Sequence, residues 1–243
     1  MTKRLTVSRR GVLAGFGGAL GLGLGLRPHA TARERLAAQR LAATQPGANV
    51  CILTPEAVQG PFYFDPKLVR ADITEARPGA PLEVKLQIVE VEGCAGLKEV
   101  RVDIWQCDGL GVYSGYGRQA TGSTEGETFL RGTQVTNAEG EVVFTSIYPG
   151  WYPGRTPHIH FKMLLDEANL VTGQLYFPDP VTERVYATLP PYNQRKGERD
   201  TFNATDFIFK GQGGADTLCA VTEEGGAFRA SLVIGIDRGG RPT

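Results

Sequence analysis

Eight short runs of β-branched or alternating residues, each bounded by turn formers, constrain the fold of this chain more than any other feature. They are Leu82–Val91, Val100–Gln106, Gln134–Thr136, Glu141–Ser146, His158–Leu165, Thr172–Phe177, Asp206–Phe209 and Ala230–Ile236. Residues of this kind suit a pleated surface that buries one side. Many short strands with Gly and Asn turns between them predict an all-β fold, an antiparallel β-sandwich or barrel, with Asn137-Ala138-Glu139-Gly140 as a hairpin candidate. No internal repeat or heptad pattern competes with this prediction. Gly109-Leu110-Gly111 lacks the strand-to-helix context of a phosphate-binding loop. A hydrophobic content of 41% in 243 residues can fill the core of one large domain or two small ones.

Upstream of the strands the character changes. Gln45 to Pro81 carries Pro46, Pro55, Pro61, Pro66, Pro78 and Pro81, which predicts an ordered but irregular segment wrapped on the domain. Arg33 to Ala43 has good helix formers and predicts a short helix or an N-terminal arm. The first 32 residues hold Lys3, Arg4, Arg9, Arg10 and Arg27 and no acid, then an uncharged stretch from Gly11 to Leu26, then Ala30-Thr31-Ala32. That order is a signal peptide with a cleavage site. Its apolar stretch is short and glycine-rich for a bilayer span, so no stable membrane anchor is expected. Ser8-Arg9-Arg10-Gly11-Val12-Leu13 resembles the twin-arginine export signal, whose machinery carries folded proteins, often with a metal already inserted. The predicted divisions are 1–32 signal, 33–81 arm and wrapping segment, and 82–243 β-sandwich, with the product periplasmic or extracellular. Without the signal, 26 bases against 26 acids become an acidic excess of five. A nucleic-acid partner is not expected of such a chain.

Only His158 and His160 remain after the signal, and in a strand residues i and i+2 share a face, so both can reach one metal ion. A cupin site would add a Glu within a few residues, and Phe161 to Asp166 has none. A 2-His-1-carboxylate Fe(II) site would need Asp166, which lies too far along the strand to close on the same ion. The preceding stretch, Ile147-Tyr148-Pro149-Gly150-Trp151-Tyr152-Pro153-Gly154-Arg155-Thr156-Pro157, points to phenolic oxygen instead. Its prolines stiffen the loop and so keep ligands in place. A free Tyr titrates near pH ~10, so a strongly charged cation such as Fe(III) is needed to hold it as tyrosinate.

Tyr152, Arg155, His158 and His160, with Asp103-Ile104-Trp105-Gln106-Cys107-Asp108-Gly109-Leu110-Gly111-Val112-Tyr113 upstream, resemble the intradiol ring-cleavage dioxygenases. The likeness extends to Thr54–Tyr63 and Thr172–Phe177, about residues 50 to 180, and is greatest to the secreted branch of the family. It implies the family's β-sandwich and a non-haem Fe(III) held by Tyr113, Tyr152, His158 and His160. It also implies Arg155 as the active-site arginine and Gln174 as a polar residue near the substrate. Tyr116 is the alternative to Tyr113, and Tyr148 the alternative to Tyr152. The implied reaction uses O2 to cleave a catechol between its two hydroxyl-bearing carbons, giving a muconate-type diacid. Tyr152 is the ligand that would yield to substrate, and Arg155 would stabilise charge developing on the ring. Catechol, protocatechuate, hydroxyquinol and larger lignin-derived catechols all fall within the resemblance.

Cys51, Cys94, Cys107 and Cys219 are an even number in a chain with an export signal, and three pairings are possible. The expected one, Cys51 with Cys107 and Cys94 with Cys219, would tie the irregular N-terminal segment to the sheet. A competing function from another class is a secreted β-sandwich binding or interaction module whose metal site is degenerate or repurposed.

Overall fold

In the strand that carries the histidines, alternate side chains go to two different places. Ile159, Phe161 and Met163 enter the main hydrophobic core, while His158 and His160 point to the opposite face, where loops bury them. The computed structural model describes residues 51–119, 122–166 and 168–238. The expectations for the signal at 1–32 and the helix or arm at 33–43 lie outside them.

The strands are β1 (Pro81–Glu90), β2 (Arg101–Trp105), β3 (Arg131–Val135), β4 (Glu141–Ile147), β5 (His158–Leu165), β6 (Ala168–Tyr176), β7 (Ala220–Glu224) and β8 (Ala227–Ile236). They form two four-stranded sheets, in the orders β4-β1-β8-β7 and β3-β2-β5-β6. Val84, Leu86 and Ile88 of the first sheet and Val102, Ile104, Ile159 and Phe161 of the second meet in one core. Each such large side chain contributes about 1.5–3 kcal/mol by leaving water. Gly173 makes room for Phe161, since a Cβ there would lie 2.3 Å from the Phe161 ring. The β5–β6 pairing shifts register between Met163 and Leu164, on the turn side of the histidines.

Several expectations need correction. The sandwich is not purely antiparallel, because β1 pairs with β8 in parallel from Leu82↔Phe228 to Glu90↔Ile236. The Asn137–Gly140 turn forms, with Asn137 Oδ1 accepting from the amides of Glu139 and Glu141. It joins β3 of one sheet to β4 of the other, and so turns a corner of the sandwich where a hairpin was expected. Asp206–Phe209 is no strand. Asp206 Oδ1 accepts from the amides of Ile208 and Phe209 and caps a short helix, Phe207–Gly211, and so brief an apolar run carries no period to separate the two states. A longer helix, α1 (Asp179–Thr188), precedes it and buries Thr182 and Val185; the Phe207–Gly211 helix is α2.

Residues 51–80 lie along the sandwich. Leu53 bridges to Gly235, the Ala57 amide donates to Thr172, and Val69 bridges to Thr133. The last two contacts cover β6 and β3, the two edges of the second sheet, which would otherwise offer unpaired backbone groups. The cysteine pairing differs from expectation: Cys51 bonds Cys94, with Cα atoms 5.4 Å apart, and Cys107 and Cys219 are free and buried. The wrapping segment and the turn after β1 both end beside β8, where the Thr54 amide donates to Gly235 and the Val91 amide to Ile236, and so the first two cysteines meet. Cys107 lies instead under the loop before β5, its thiol donating to the Gly150 carbonyl, and Cys219 is in the core. No described helix is long and apolar enough to cross a membrane.

Candidate metal centre

Strand register builds one side of the site. Across the second sheet Trp105 pairs with His160 and His160 with Gln174, while His158 pairs with Tyr176. Side chains directly opposite in such pairs share a face, so these five project together. Trp105 stacks on His160 with ring centroids 4.8 Å apart and 6° between planes. Gly60 of the wrapping segment approaches the other edge of His160 at φ +72°, and a Cβ there would come within 3.4 Å of the ring.

Loops supply the phenols. Tyr113 comes from the β2–β3 connection, where Gln119 Oε1 accepts from its amide at 2.7 Å and Thr124 Oγ1 donates to its carbonyl at 2.7 Å. Phe62 stacks on its ring at 4.4 Å. Tyr152 comes from the proline-rich loop before β5, in a turn closed by the Arg155 amide donating to the Tyr152 carbonyl. The alternatives go elsewhere. Tyr148 is in the main core with its hydroxyl 2.8 Å from Thr182, and Tyr116 packs edge-on against Phe62.

The four predicted ligands converge. His158 Nε2 lies 3.1 Å from His160 Nε2, 3.1 Å from the Tyr152 hydroxyl and 3.5 Å from the Tyr113 hydroxyl. His158 Nδ1 donates to the Thr156 carbonyl at 2.7 Å, which leaves the Nε2 lone pair facing inward. Burial, reinforced by the positive charge of Arg155, pushes His158 down to about 3, and burial together with His158 holds His160 well below its ordinary value. Both rings are therefore neutral, as a metal ligand must be. Burial also lifts Tyr113 well above 10 and Tyr152 up to about 12, the latter against the pull of Arg155. Without a cation both are phenols.

This donor set fits a single small cation. Donor atoms about 3 Å apart are what ligands at ~2.1 Å from one ion present to each other. Among the described residues no three His, Cys, Asp or Glu side chains cluster, so an ion held here must take phenolic oxygen, and a hard, highly charged ion does so best.

Arg155 borders the same space. Its Nη1 is 3.5 Å from the Tyr152 hydroxyl, its Nη2 donates to Gln174 Oε1 at 2.5 Å, and its Nε donates to Asp206 Oδ2 at 2.8 Å. Gln174 is fixed in turn by donating to the Val58 carbonyl and accepting from Tyr176. Arg155 and Gln174 thus stand together beside the Tyr152 phenol. Sequence reasoning missed Asp206, Phe62, Tyr176 and Arg131. Only Asp206 left a local signal, an Asp standing before a short apolar run, which marks a helix N-cap.

Comparison with known proteins places the chain in a family. A family model described as Dioxygenase matches residues 55–186, more than half of the chain. The protocatechuate 3,4-dioxygenase beta chain of Burkholderia cepacia is 33% identical over 125 residues, covering 45% of this chain and 53% of the relative. Catechol 1,2-dioxygenase of Candida albicans is 30% identical over 147 residues, 51% of this chain and 46% of the relative. The chain spans about half the length of these curated relatives. A solved intradiol ring-cleavage dioxygenase from Tetranychus urticae superposes with a TM-score of 0.72 at 33% identity, over 79% of this chain and 98% of that one. Agreement over nearly the whole of a solved relative, at an identity that reaches beyond shared architecture, makes this chain a member of the intradiol ring-cleavage dioxygenase family.

Proposed function

We propose that the chain is a non-haem Fe(III) dioxygenase that uses O2 to cleave a catechol between its two hydroxyl-bearing carbons, yielding a muconate-type diacid. The convergence of the His160 Nε2 and the Tyr152 and Tyr113 hydroxyls within 3.1–3.5 Å of the His158 Nε2 carries this reading. Fe(III), when bound, would chelate the catechol oxygens and draw electron density from the ring, making it reactive to O2.

The chain's own residues have distinct tasks. Tyr113, fully buried under Phe62, and the two histidines form the permanent side of the ligand set. Tyr152 is more exposed and stands beside Arg155. It would be the iron ligand on the substrate side and the group that takes a proton from the catechol; burial, which raises its pKa, favours the protonated phenol. Arg155 faces the ring and stabilises negative charge as it develops, and such preorganised charge acts strongly where water is excluded. Gln174 orients Arg155 and offers a polar contact beside it.

Export through the twin-arginine route, with residues 1–32 as its signal, belongs to the same proposal. The Cys51–Cys94 disulfide supports it, since such bonds persist in oxidising compartments. Changing Arg9 and Arg10 to Lys should leave the unprocessed chain in the cytoplasm, read by fractionation and the mass of the product.

The iron-loaded protein should be burgundy from tyrosinate-to-Fe(III) charge transfer, consume O2 with a panel of catechols and release products with muconate spectra. Tyr152→Phe should weaken or shift the visible band and Tyr116→Phe should not. A protein that stays colourless with Fe(III) would defeat the proposal and favour a binding module.

A further inference from the structure

Asp206 is fully buried, and its two oxygens divide their work. Oδ1 accepts from the amides of Ile208 at 2.8 Å and Phe209 at 2.9 Å, which caps α2. Oδ2 accepts from Arg155 Nε at 2.8 Å and from the Thr156 amide at 2.8 Å. All four lone-pair directions of the carboxylate are thus used. The Thr156 carbonyl is the group that accepts from His158 Nδ1, so the same oxygen grips a side chain beside the substrate space and the backbone amide of the residue whose carbonyl orients a ligand ring. The surrounding segment is fixed as well, because Thr156 Oγ1 donates to Asn203 Oδ1 and Asn203 Nδ2 donates to the Phe177 carbonyl. Asp206 lies outside the matched region 55–186. A residue needed only to cap a five-residue helix would use one oxygen and face solvent with the other.

We propose that Asp206 is a positioning residue for the substrate side of the metal centre, fixing the guanidinium of Arg155 and, through Thr156, the ring of His158. This rests on the reading of Arg155 as the charge that faces the catechol ring. A charged acceptor holds a guanidinium about twice as strongly as a neutral one and sets its plane.

The test uses the full chain with Asp206→Asn and Asp206→Ser. Asn offers one oxygen where two are used, so it must abandon either the helix or Arg155. Ser keeps a helix-capping oxygen but cannot span to the guanidinium. In the iron-loaded enzyme each change should lower kcat/KM for catechol roughly 10- to 100-fold. Added to Arg155→Met, Asp206→Ser should cost clearly less than it does alone, because the share of its effect that passes through Arg155 is already lost and only the share through Thr156 and His158 remains. A lower Tm with kcat/KM unchanged, or effects that multiply, would overturn the proposal and leave Asp206 a helix cap only. The second readout needs no turnover: side-chain 15N NMR of the protein loaded with Ga(III), a diamagnetic substitute. The Arg155 Nε–H signal, assigned by its loss in Arg155→Met, should be protected from solvent exchange in the wild type and exchange at least ~10-fold faster in Asp206→Ser. A signal unprotected in the wild type, or unchanged in the variant, would also overturn it. If the wild type turns over no catechol, the dioxygenase reading fails by itself and the NMR result alone decides the role of Asp206.

Discussion

Two arginines border the candidate centre, Arg131 buried and Arg155 half-buried, and they are held in opposite ways. Arg155 is paired with a carboxylate: burial opposes its charge, but Tyr152 and Asp206 outweigh burial and its pKa is raised. Arg131, 1% exposed, has no such partner among the described residues. Its donors reach Ser114 Oγ at 2.8 Å, the Ser114 carbonyl at 2.9 Å and the Phe62 carbonyl at 2.7 Å, and its guanidinium lies 4.2 Å from the Phe64 ring centroid. Burial pushes it down to about 10. The Arg155–Asp206 pair is neutral as a unit, so Arg131 contributes an uncompensated positive charge to the ground around Tyr113. Its contacts join the wrapping segment, through Phe62, to the loop that carries Tyr113. One arginine is set for a substrate and the other knits together the segments that hold a ligand.

This contrast can be broken by exchange of roles. Arg155→Met should cost the most activity, roughly 10²–10³-fold in kcat/KM, as the loss of one charge-stabilising donor does in other enzymes. Unfolding free energy should fall by less than about 2 kcal/mol, because Asp206 keeps its three backbone donors. Arg131→Met should do the reverse in kind, lowering unfolding free energy by about 3 kcal/mol or more, since two carbonyls and a hydroxyl lose a buried donor. Urea denaturation measures both, and a stable but inactive Arg131→Met would erase the distinction.

Acid separates the two sides further. The Asp206 carboxyl is held below the usual range because its amide donors and Arg155 outweigh burial. Its contribution is therefore present above an unfolded value near ~3.9 and lost as pH falls below it. His158 and His160 are also depressed, so their contribution is full above ~6.5 and declines as pH falls toward the folded values. The iron-free protein should show Tm constant between ~6.5 and ~8 and falling below that window, and His160→Gln should flatten the upper part of the acid descent only. The smallest effect is expected of Phe64→Leu, which removes the ring over Arg131 and should cost about 1 kcal/mol beyond lost packing.

What could be read from the sequence follows the reach of each interaction. Strands β1, β2, β4, β5 and β8 were legible because alternation is local, and the His158/His160 pair because a period of two is enough to place them on one face. Tyr113 and Tyr152 came through resemblance, and spacing alone did not separate them from Tyr116 and Tyr148. The parallel β1–β8 pairing joins segments more than a hundred residues apart, and nothing within either strand encodes its partner. The Cys51–Cys94 bond depends on that same meeting of distant ends. Nothing local marks Arg131, and Asp206 reads only as the start of a strand, since burial of a charged side chain is decided by what folds over it.

The register shift at Met163/Leu164 has a consequence for how this chain can change. Side chains alternate with a period of two, so a deletion between Ile159 and Met163 would slide the strand by one place and exchange the histidines for core residues. Beyond the shift that rule is already relaxed, and the β5–β6 turn can lengthen or shorten without disturbing the row Trp105, His160, Gln174. Natural variation in length and engineered insertions should therefore collect at that turn, the tolerant end of a strand whose other end cannot move by a single residue.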